Sequence, residues 1–263
     1  MRRFTGEGRT LVCFDFDETY FPHACTEEQL ADVRRLEDFL EQHAERFSTM
    51  WVTGSSFADL AEKTMRASMR YWPHRIASSL GTELYRVNAS GTLKRDDAFS
   101  QLFPDDFSDR VGRVVDMMRS EAIVLEAQPG DGTNVWMQNY YYHDHQEAAF
   151  ERIREATRTV GIAVNISRCN PLAGDPDGSY DIDFIPEGAG KTAAVEYVCD
   201  RFSFRAEDAY AFGDSGNDLG MLKRVGNGYV LGNGTEQAKR AHQRITKKSY
   251  AAGILEVLTR EFD

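Results

Sequence analysis

Asp15 and Asp17 stand two residues apart at the end of an apolar run, in Leu11-Val-Cys-Phe-Asp-Phe-Asp-Glu-Thr19. A short apolar run that ends in acid reads as a buried parallel strand, and ligands of open α/β sheets sit beyond such strand tips. Two carboxylates at this spacing can face one crevice, one as nucleophile and metal ligand, the other as general acid and base. A second tip carries Thr53-Gly-Ser-Ser56, where a hydroxyl, a glycine and the N–H groups of a helix start form a site for an anion. Read alone, Ser55 or Ser56 is more simply the cap of that helix. Lys191, in Gly188-Ala-Gly-Lys191, opens another helix and can meet a phosphate as a point charge. It is not part of a Walker loop, because the position that would need glycine is Ile185. A last tip, Phe212-Gly-Asp-Ser-Gly-Asn-Asp218, offers Asp214 and Asp218 to a hard cation, with oxygens from Ser215 and Asn217. Carboxylates crowded together in this way repel one another unless a cation sits among them. The set describes phosphoryl transfer without a nucleotide loop.

The elements that must position these residues alternate. A strand over 11–15 is followed by a helix, opened by the Thr26–Gln29 capping box and striped by Leu30, Val33, Leu36 and Leu40. A strand over 49–52, a helix from Phe57 and a strand over 76–79 come next, which predicts right-handed βαβ units and a parallel sheet. The pattern then changes. Helices near 107–118 and 150–160 are interleaved with neighbouring strand-like runs at 123–127, 135–142, 162–166 and 181–185, as in an antiparallel α+β module. Alternation resumes with a helix over 192–202, a strand over 209–212 and further elements to 262. The expected fold is α/β: a Rossmann-like core of residues 1–85 and 186–263 with a parallel sheet, interrupted by an inserted α+β domain over 86–185.

Charge and composition narrow the function. The 263 residues hold 31 Lys+Arg against 42 Asp+Glu, a net charge of −11 that argues against a basic nucleic-acid or membrane-surface binder. No apolar run approaches the ~18 residues of a membrane span, and the first ten residues lack the apolar stretch of a secretory leader. A cytoplasmic location is expected. Cys13 and Cys199 read as small core hydrophobes, and Cys169 sits in a polar loop. Nothing in the pattern specifies an oligomeric state.

In their order and over the whole chain, DFDET, VTGSS, Lys191 and GDSGND resemble the haloacid dehalogenase-like hydrolase superfamily. The insertion between the second and third motifs is similar to a C2 (IIB) cap that selects the substrate. SLGTE (Ser79–Glu83), DIDFIPEGAGK (Asp181–Lys191) and FGDSGND are similar to sucrose-6-phosphate phosphatases. DFDETYFPH (Asp15–His23), YWPHRIASSLGTE and the long polar stretch Arg168–Pro186 are similar to phosphatases of kanosamine 6-phosphate, a 3-amino-3-deoxyglucose 6-phosphate. The resemblance implies that Asp15 attacks phosphorus to form an aspartyl-phosphate and that Asp17 protonates the leaving oxygen. It implies a magnesium ion held by Asp15, the Asp17 backbone carbonyl and Asp214, supported by Asp218. Thr53 and Lys191 would bind phosphate, with Phe16, Gly54 and Asn217 beside them. Thr82 and Glu83 would touch the sugar, together with Tyr141, His143, Arg168, Asn170, Asp181 and Asp183.

Within the insertion, Asp181 and Asp183 alternate onto one strand face, and Tyr140 and Tyr142 onto a buried face opposite Tyr141. His143 and His145 read as surface or structural groups, and Asp175 and Asp177 as turn formers. A carboxylate here could pair with a substrate ammonium. The expected partner is a small sugar phosphate, with no nucleic acid and no membrane. The alternatives are a sucrose-6-phosphate or general hexose-phosphate phosphatase, a phosphohexomutase, or a sugar-phosphate-binding regulator without turnover.

Overall fold

A computed structural model describes residues 1–129, 134–169, 171 and 174–263. The first stretch runs β1 (Arg2–Arg3), β2 (Thr10–Phe14), α1 (Glu27–Gln42), β3 (Phe47–Val52), α2 (Phe57–Arg66), β4 (Tyr71–Trp72), β5 (Arg75–Ser78), β6 (Glu83–Val87) and β7 (Leu93–Arg95). The middle holds α3 (Asp97–Ser100), α4 (Phe107–Ser120), β8 (Glu126–Ala127), β9 (Gln138–Tyr142), α5 (Glu147–Val160), β10 (Ile162–Arg168) and β11 (Tyr180–Pro186). The last stretch holds α6 (Lys191–Phe202), β12 (Tyr210–Gly213), α7 (Leu219–Arg224), β13 (Asn227–Val230), α8 (Glu236–Ala241) and α9 (Tyr250–Phe262).

The chain divides into two units, Met1–Asp97 with Lys191–Asp263, and Ala98–Gly190. In the first, a seven-stranded sheet has the order β13-β12-β2-β3-β5-β6-β7. The strands from β13 to β5 are parallel, so Asp15, Thr53 and Asp214 all leave the sheet at the same edge. Every residue of β3 is buried, as a strand covered on both faces requires. The caps follow the local signals. Thr26 and Gln29 close a capping box at α1, and Ser56 closes one with Asp59 at α2. Phe14, Phe16, Tyr20, Phe21, Trp51 and Phe212 form the core beneath the strand tips.

The seams fall at Asp97 and Lys191 rather than at 85 and 186. The reason is strand pairing: β6 runs antiparallel on β5 and β7 antiparallel on β6, so this hairpin extends the first unit's sheet before the chain leaves it. The two-residue pair β1 and β4 was also not expected, being too short to show a period.

The second unit is a four-stranded antiparallel sheet in the order β10-β11-β9-β8, with α4 and α5 covering one face. Phe107, Val111, Val114, Ile153, Tyr142, Ile182 and Phe184 build that face's core. In register, Asp181 lies opposite Tyr141 and Ser167, and Asp183 opposite Asn139 and Asn165, which gathers these residues on the other face. The strand-like runs expected at 123–127 and 135–142 shorten to β8 and β9.

Among the described residues no helix is long and apolar enough to cross a membrane. One buried group of the first unit gives the fold a pH dependence. His74 Nδ1 accepts the Thr49 N–H at 3.0 Å, and Nε2 faces the Gly6 carbonyl, so the ring is neutral with both nitrogens engaged. Burial lowers its pKa from 6.5 to about 4. The unfolded chain therefore takes up a proton near pH 6.5 that the native ring refuses until about pH 4. Stability is unaffected above pH 6.5 and falls by ~3 kcal/mol across that window. The expected NMR result is a His74 ring that stays neutral at pH 5.5; a midpoint near 6.5 would refute it.

Candidate active site

Three strand tips and one helix start assemble the site. Phe16, Tyr20 and Phe21 are fully buried in the core, and the Phe21 N–H returns to the Phe16 carbonyl at 2.8 Å. This clamp fixes the loop that carries Asp15 and Asp17. Phe16 stacks on Phe21, so any contact it makes to a phosphate falls to its backbone. Asp15 is 4% exposed and accepts from Lys191 Nζ at 2.6 Å. Lys191, the first residue of α6, also donates to Asp218 Oδ1 at 2.7 Å and Asn217 Oδ1 at 3.1 Å. Asp218 Oδ2 takes the backbone N–H groups of Asp214 and Ser215 at 3.1 and 3.0 Å. Asp218 thus spends both oxygens holding Lys191 and the loop after β12. Gly213 is required there, since a Cβ would lie 2.5 Å from the Asp218 side chain.

Asp15, Asp214 and Asp218 each offer an oxygen within 4.8 Å of the others. Burial and Asp218 push the Asp15 carboxyl well above its ordinary range, against the pull of Lys191. Burial and Asp218 likewise push Asp214 up to about 7. Lys191 is driven the other way from a buried amine, upward, because Asp15 and Asp218 outweigh its desolvation. Three carboxylates crowd beside one buried ammonium that bonds two of them, and every donor is oxygen, which suits a hard divalent cation. Thr19, the last residue of DFDET, donates to Asp214 Oδ1 at 3.4 Å.

Asp17 is held apart from that cluster's hydrogen bonds. Its Oδ1 meets Lys63 Nζ at 2.6 Å and His23 Nε2 at 3.0 Å. Its Oδ2 accepts from Ser55 Oγ at 2.7 Å and Thr53 Oγ1 at 3.3 Å. Burial alone would raise its pKa, but His23 and Lys63 bring it below the usual carboxylate range. Any metal contact from Asp17 is left to its backbone carbonyl. Sequence reasoning missed Lys63, His23 and Ser55 as partners of Asp17.

The loop after β3 is braced from behind. Ser79, Leu80 and Gly81 take φ of 52, 56 and 74° in succession, a left-handed run that costs ~1–2 kcal/mol at each non-glycine. In exchange the N–H groups of Ser79 and Leu80 reach the carbonyls of Ser55 and Thr53, each at 2.9 Å. Thr82 and Glu83, expected at the sugar, are buried in this turn instead. Thr82 donates to the Ser79 carbonyl at 2.8 Å, and Glu83 takes the Ser78 and Ser79 hydroxyls at 3.3 and 3.4 Å.

In the second unit the structure groups most of the expected residues on the sheet face that the helices leave uncovered. Asp183 takes the amides of Asn139 and Asn165 at 2.7 and 3.0 Å, and burial raises it to about 6. Asp181 takes Gln128 Nε2 at 2.9 Å and the Cys169 thiol at 3.4 Å. Burial and Asp175, in that order, raise Asp181 as well. The Tyr141 hydroxyl donates to Asp175 at 3.2 Å, and His143 lies between Ser179 Oγ at 2.8 Å and Glu126 at 2.9 Å. Burial and then Asp181 push Cys169 up to about 12, which works against forming a thiolate. Arg168 does not join the group: it pairs with Tyr180 and shares the strand parity of Ile166 and Ile182. Asn170 lies outside the described residues.

Comparison with known proteins supplies the family. Residues 8–260 match the sucrose-6F-phosphate phosphohydrolase family. The chain is 41% identical over 256 residues to a kanosamine-6-phosphate phosphatase of Bacillus subtilis, covering 94% of this chain and 91% of that one. A solved haloacid dehalogenase-like hydrolase of Bacillus subtilis is 38% identical, with a TM-score of 0.78 over 98% of this chain and 94% of that one. A sucrose-phosphatase of Synechocystis, solved with sucrose and phosphate, shares the fold at 17% identity, with a TM-score of 0.74 over 96% and 98% of the two chains. A match of this length, on a sheet whose tips gather the acids expected of such enzymes, makes the assignment: the chain belongs to the sucrose-6F-phosphate phosphohydrolase family of haloacid dehalogenase-like hydrolases, and it is a phosphatase.

Proposed function

We propose that this protein hydrolyses a hexose 6-phosphate with the help of magnesium, and that its substrate is kanosamine 6-phosphate. The observation that carries the reaction is Lys191, buried between Asp15 and Asp218 beside Asp214. Asp15 attacks phosphorus, and the bond from phosphorus to the sugar oxygen breaks as Asp17, which takes up a proton from solvent when the phosphate dianion enters beside it, passes that proton to the leaving oxygen. Water then attacks the phosphorus of the aspartyl-phosphate and its proton passes to Asp17, while the bond from phosphorus to Asp15 breaks to release inorganic phosphate and restore the Asp15 carboxylate. Lys191, Thr53 and the backbone of Phe16, Gly54 and Asn217 position the phosphoryl oxygens. Asp15, Asp214 and the Asp17 carbonyl would hold the magnesium ion, with Asp218 behind them. When bound it supplies positive charge against the phosphate dianion.

The insertion selects the sugar. Identity to a kanosamine-6-phosphate phosphatase supports an amine-bearing ring. So do Asp175, Asp181 and Asp183, whose mutual repulsion adds to burial in raising Asp181 and Asp183. An ammonium would relieve that repulsion. The family match favours sucrose 6-phosphate as the second reading.

The test is phosphate release from kanosamine 6-phosphate, glucose 6-phosphate and sucrose 6-phosphate with magnesium. The amine substrate is expected to show the highest kcat/KM. Asp181→Asn is expected to lower that value by roughly 10- to 100-fold, the worth of a charged hydrogen bond, and to change glucose 6-phosphate much less. Equal wild-type rates on amine and neutral sugars overturn the substrate assignment. An isomeric phosphate in place of free phosphate would show a mutase, and binding without turnover a regulator.

A further inference from the structure

Lys63 belongs to none of the sequence motifs, yet its ammonium is spent on Asp17. It lies on α2, seven residues beyond the Ser56 cap and three beyond the fully buried Leu60. That spacing is about two helical turns, so the cap and the lysine share a side of the helix. The side chain is 19% exposed and reaches both Asp17 Oδ1 at 2.6 Å and Ser55 Oγ at 2.7 Å. Ser55 in turn donates to Asp17 Oδ2 at 2.7 Å. Lysine, serine and aspartate close a ring of three short contacts.

The two oxygens of Asp17 therefore differ in chemistry. Those of Oδ1 are nitrogen partners, an ammonium and the His23 ring. An ammonium has three donors and no acceptor, so it cannot receive a hydrogen bond from a protonated carboxyl. The partners of Oδ2 are hydroxyls of Ser55 and Thr53, each able to turn from donor to acceptor. We propose that Lys63 is a positioning residue for Asp17: it anchors Oδ1 and orients Ser55, so that Oδ2 is the oxygen that exchanges a proton with the substrate. Without the anchor the carboxyl samples other rotamers, and the fraction aligned with the leaving oxygen falls. The inference rests on the reading of Asp17 as general acid.

General-acid assistance matters when the leaving group is a sugar alkoxide and little when it is a phenolate. The quantity to read is kcat/KM, which covers the steps through departure of the leaving group and omits hydrolysis of the aspartyl-phosphate. Lys63→Met is expected to lower kcat/KM on a hexose 6-phosphate by roughly 10- to 100-fold and on p-nitrophenyl phosphate by less than about threefold, a share of the usual general-acid contribution. Lys63→Arg, which restores a cation, is expected to recover most of the loss. Asp17→Asn measured on the same pair separates the two ideas. If Asp17→Asn is selective for the sugar substrate but Lys63→Met is silent or lowers both substrates equally, the role of Lys63 is overturned and that of Asp17 stands. If Asp17→Asn shows no selectivity, Asp17 is not the general acid and both fall. A thermal midpoint for Lys63→Met within a few degrees of wild type keeps the comparison free of unfolding, and Lys63→Gln serves in its place otherwise, with the same expected and overturning outcomes.

Discussion

Asp15→Asn is expected to abolish turnover, by a factor on the order of 10⁴ or more, while leaving the fold at least as stable as wild type. The amide keeps the shape of the side chain and removes the proposed nucleophile. The stability half of the result comes from charge. Asp15 is a buried carboxylate raised by desolvation and by Asp218, with Lys191 shared between them. Taking away its charge leaves Lys191 paired with Asp218 and thins the crowd of negative groups. Active sites commonly trade stability for function in this way. Phosphate release and a thermal midpoint, measured on one preparation, check both halves. Substantial retained activity would refute the nucleophile, and a midpoint lower by many degrees would refute the electrostatic argument.

Lys191→Met should lose activity too, but with a loss of stability. The side chain is 5% exposed and so is that of Asp15, while Asp218 is fully buried. Removing one partner of a buried ion pair strands the other, at ~3–5 kcal/mol. Here two carboxylates lose their ammonium at once, and Asp214 lies among them. The variant is expected to unfold at lower urea than wild type and to lose activity by roughly 10³-fold, as when a preorganised charge is taken from the transition state. Millimolar magnesium should restore part of its stability, because binding to the native state alone raises stability with ligand concentration. Magnesium should also raise its midpoint more than that of wild type, since the ammonium no longer competes for the same oxygens. Equal magnesium shifts in the two proteins would argue that the cation and Lys191 do not share those oxygens.

The residues of these two predictions were legible because each carries a local signal. Asp15 and Asp214 end apolar runs, Thr53 follows one, and Lys191 opens a helix after two glycines. The parallel order of the sheet then brings those ends to one edge. Lys63 carried no such signal. Its partner is 46 residues away, and on α2 it looks like any charged residue on a solvated face. Tertiary proximity made it part of the site. The β6–β7 hairpin was missed for a related reason: its strands are short, and only the pairing of β6 with β5 and of β7 with β6 marks them as core sheet. Thr82 and Glu83 look like loop polar groups in sequence, and the left-handed turn before them buries both. Arg168 was readable after all. Ile162, Val164 and Ile166 alternate toward α4 and α5, and two residues on the same parity holds for Arg168.

The return from the insertion has a consequence for recombination. β11 ends at Pro186, Gly188 and Gly190 take φ of 83 and 119°, and the next residue is Lys191 at the head of α6. The lysine's place is set by its helix and by Asp15 and Asp218, not by the strand that precedes it. Four residues with two glycines absorb the change of direction, and only glycine accepts the second of those angles without strain. The insertion is therefore a cassette with a natural breakpoint. A chimera that exchanges residues 98–186 for those of a relative, keeping Glu187–Gly190 as the splice, leaves Lys191 in register while the surface proposed to read the sugar is replaced.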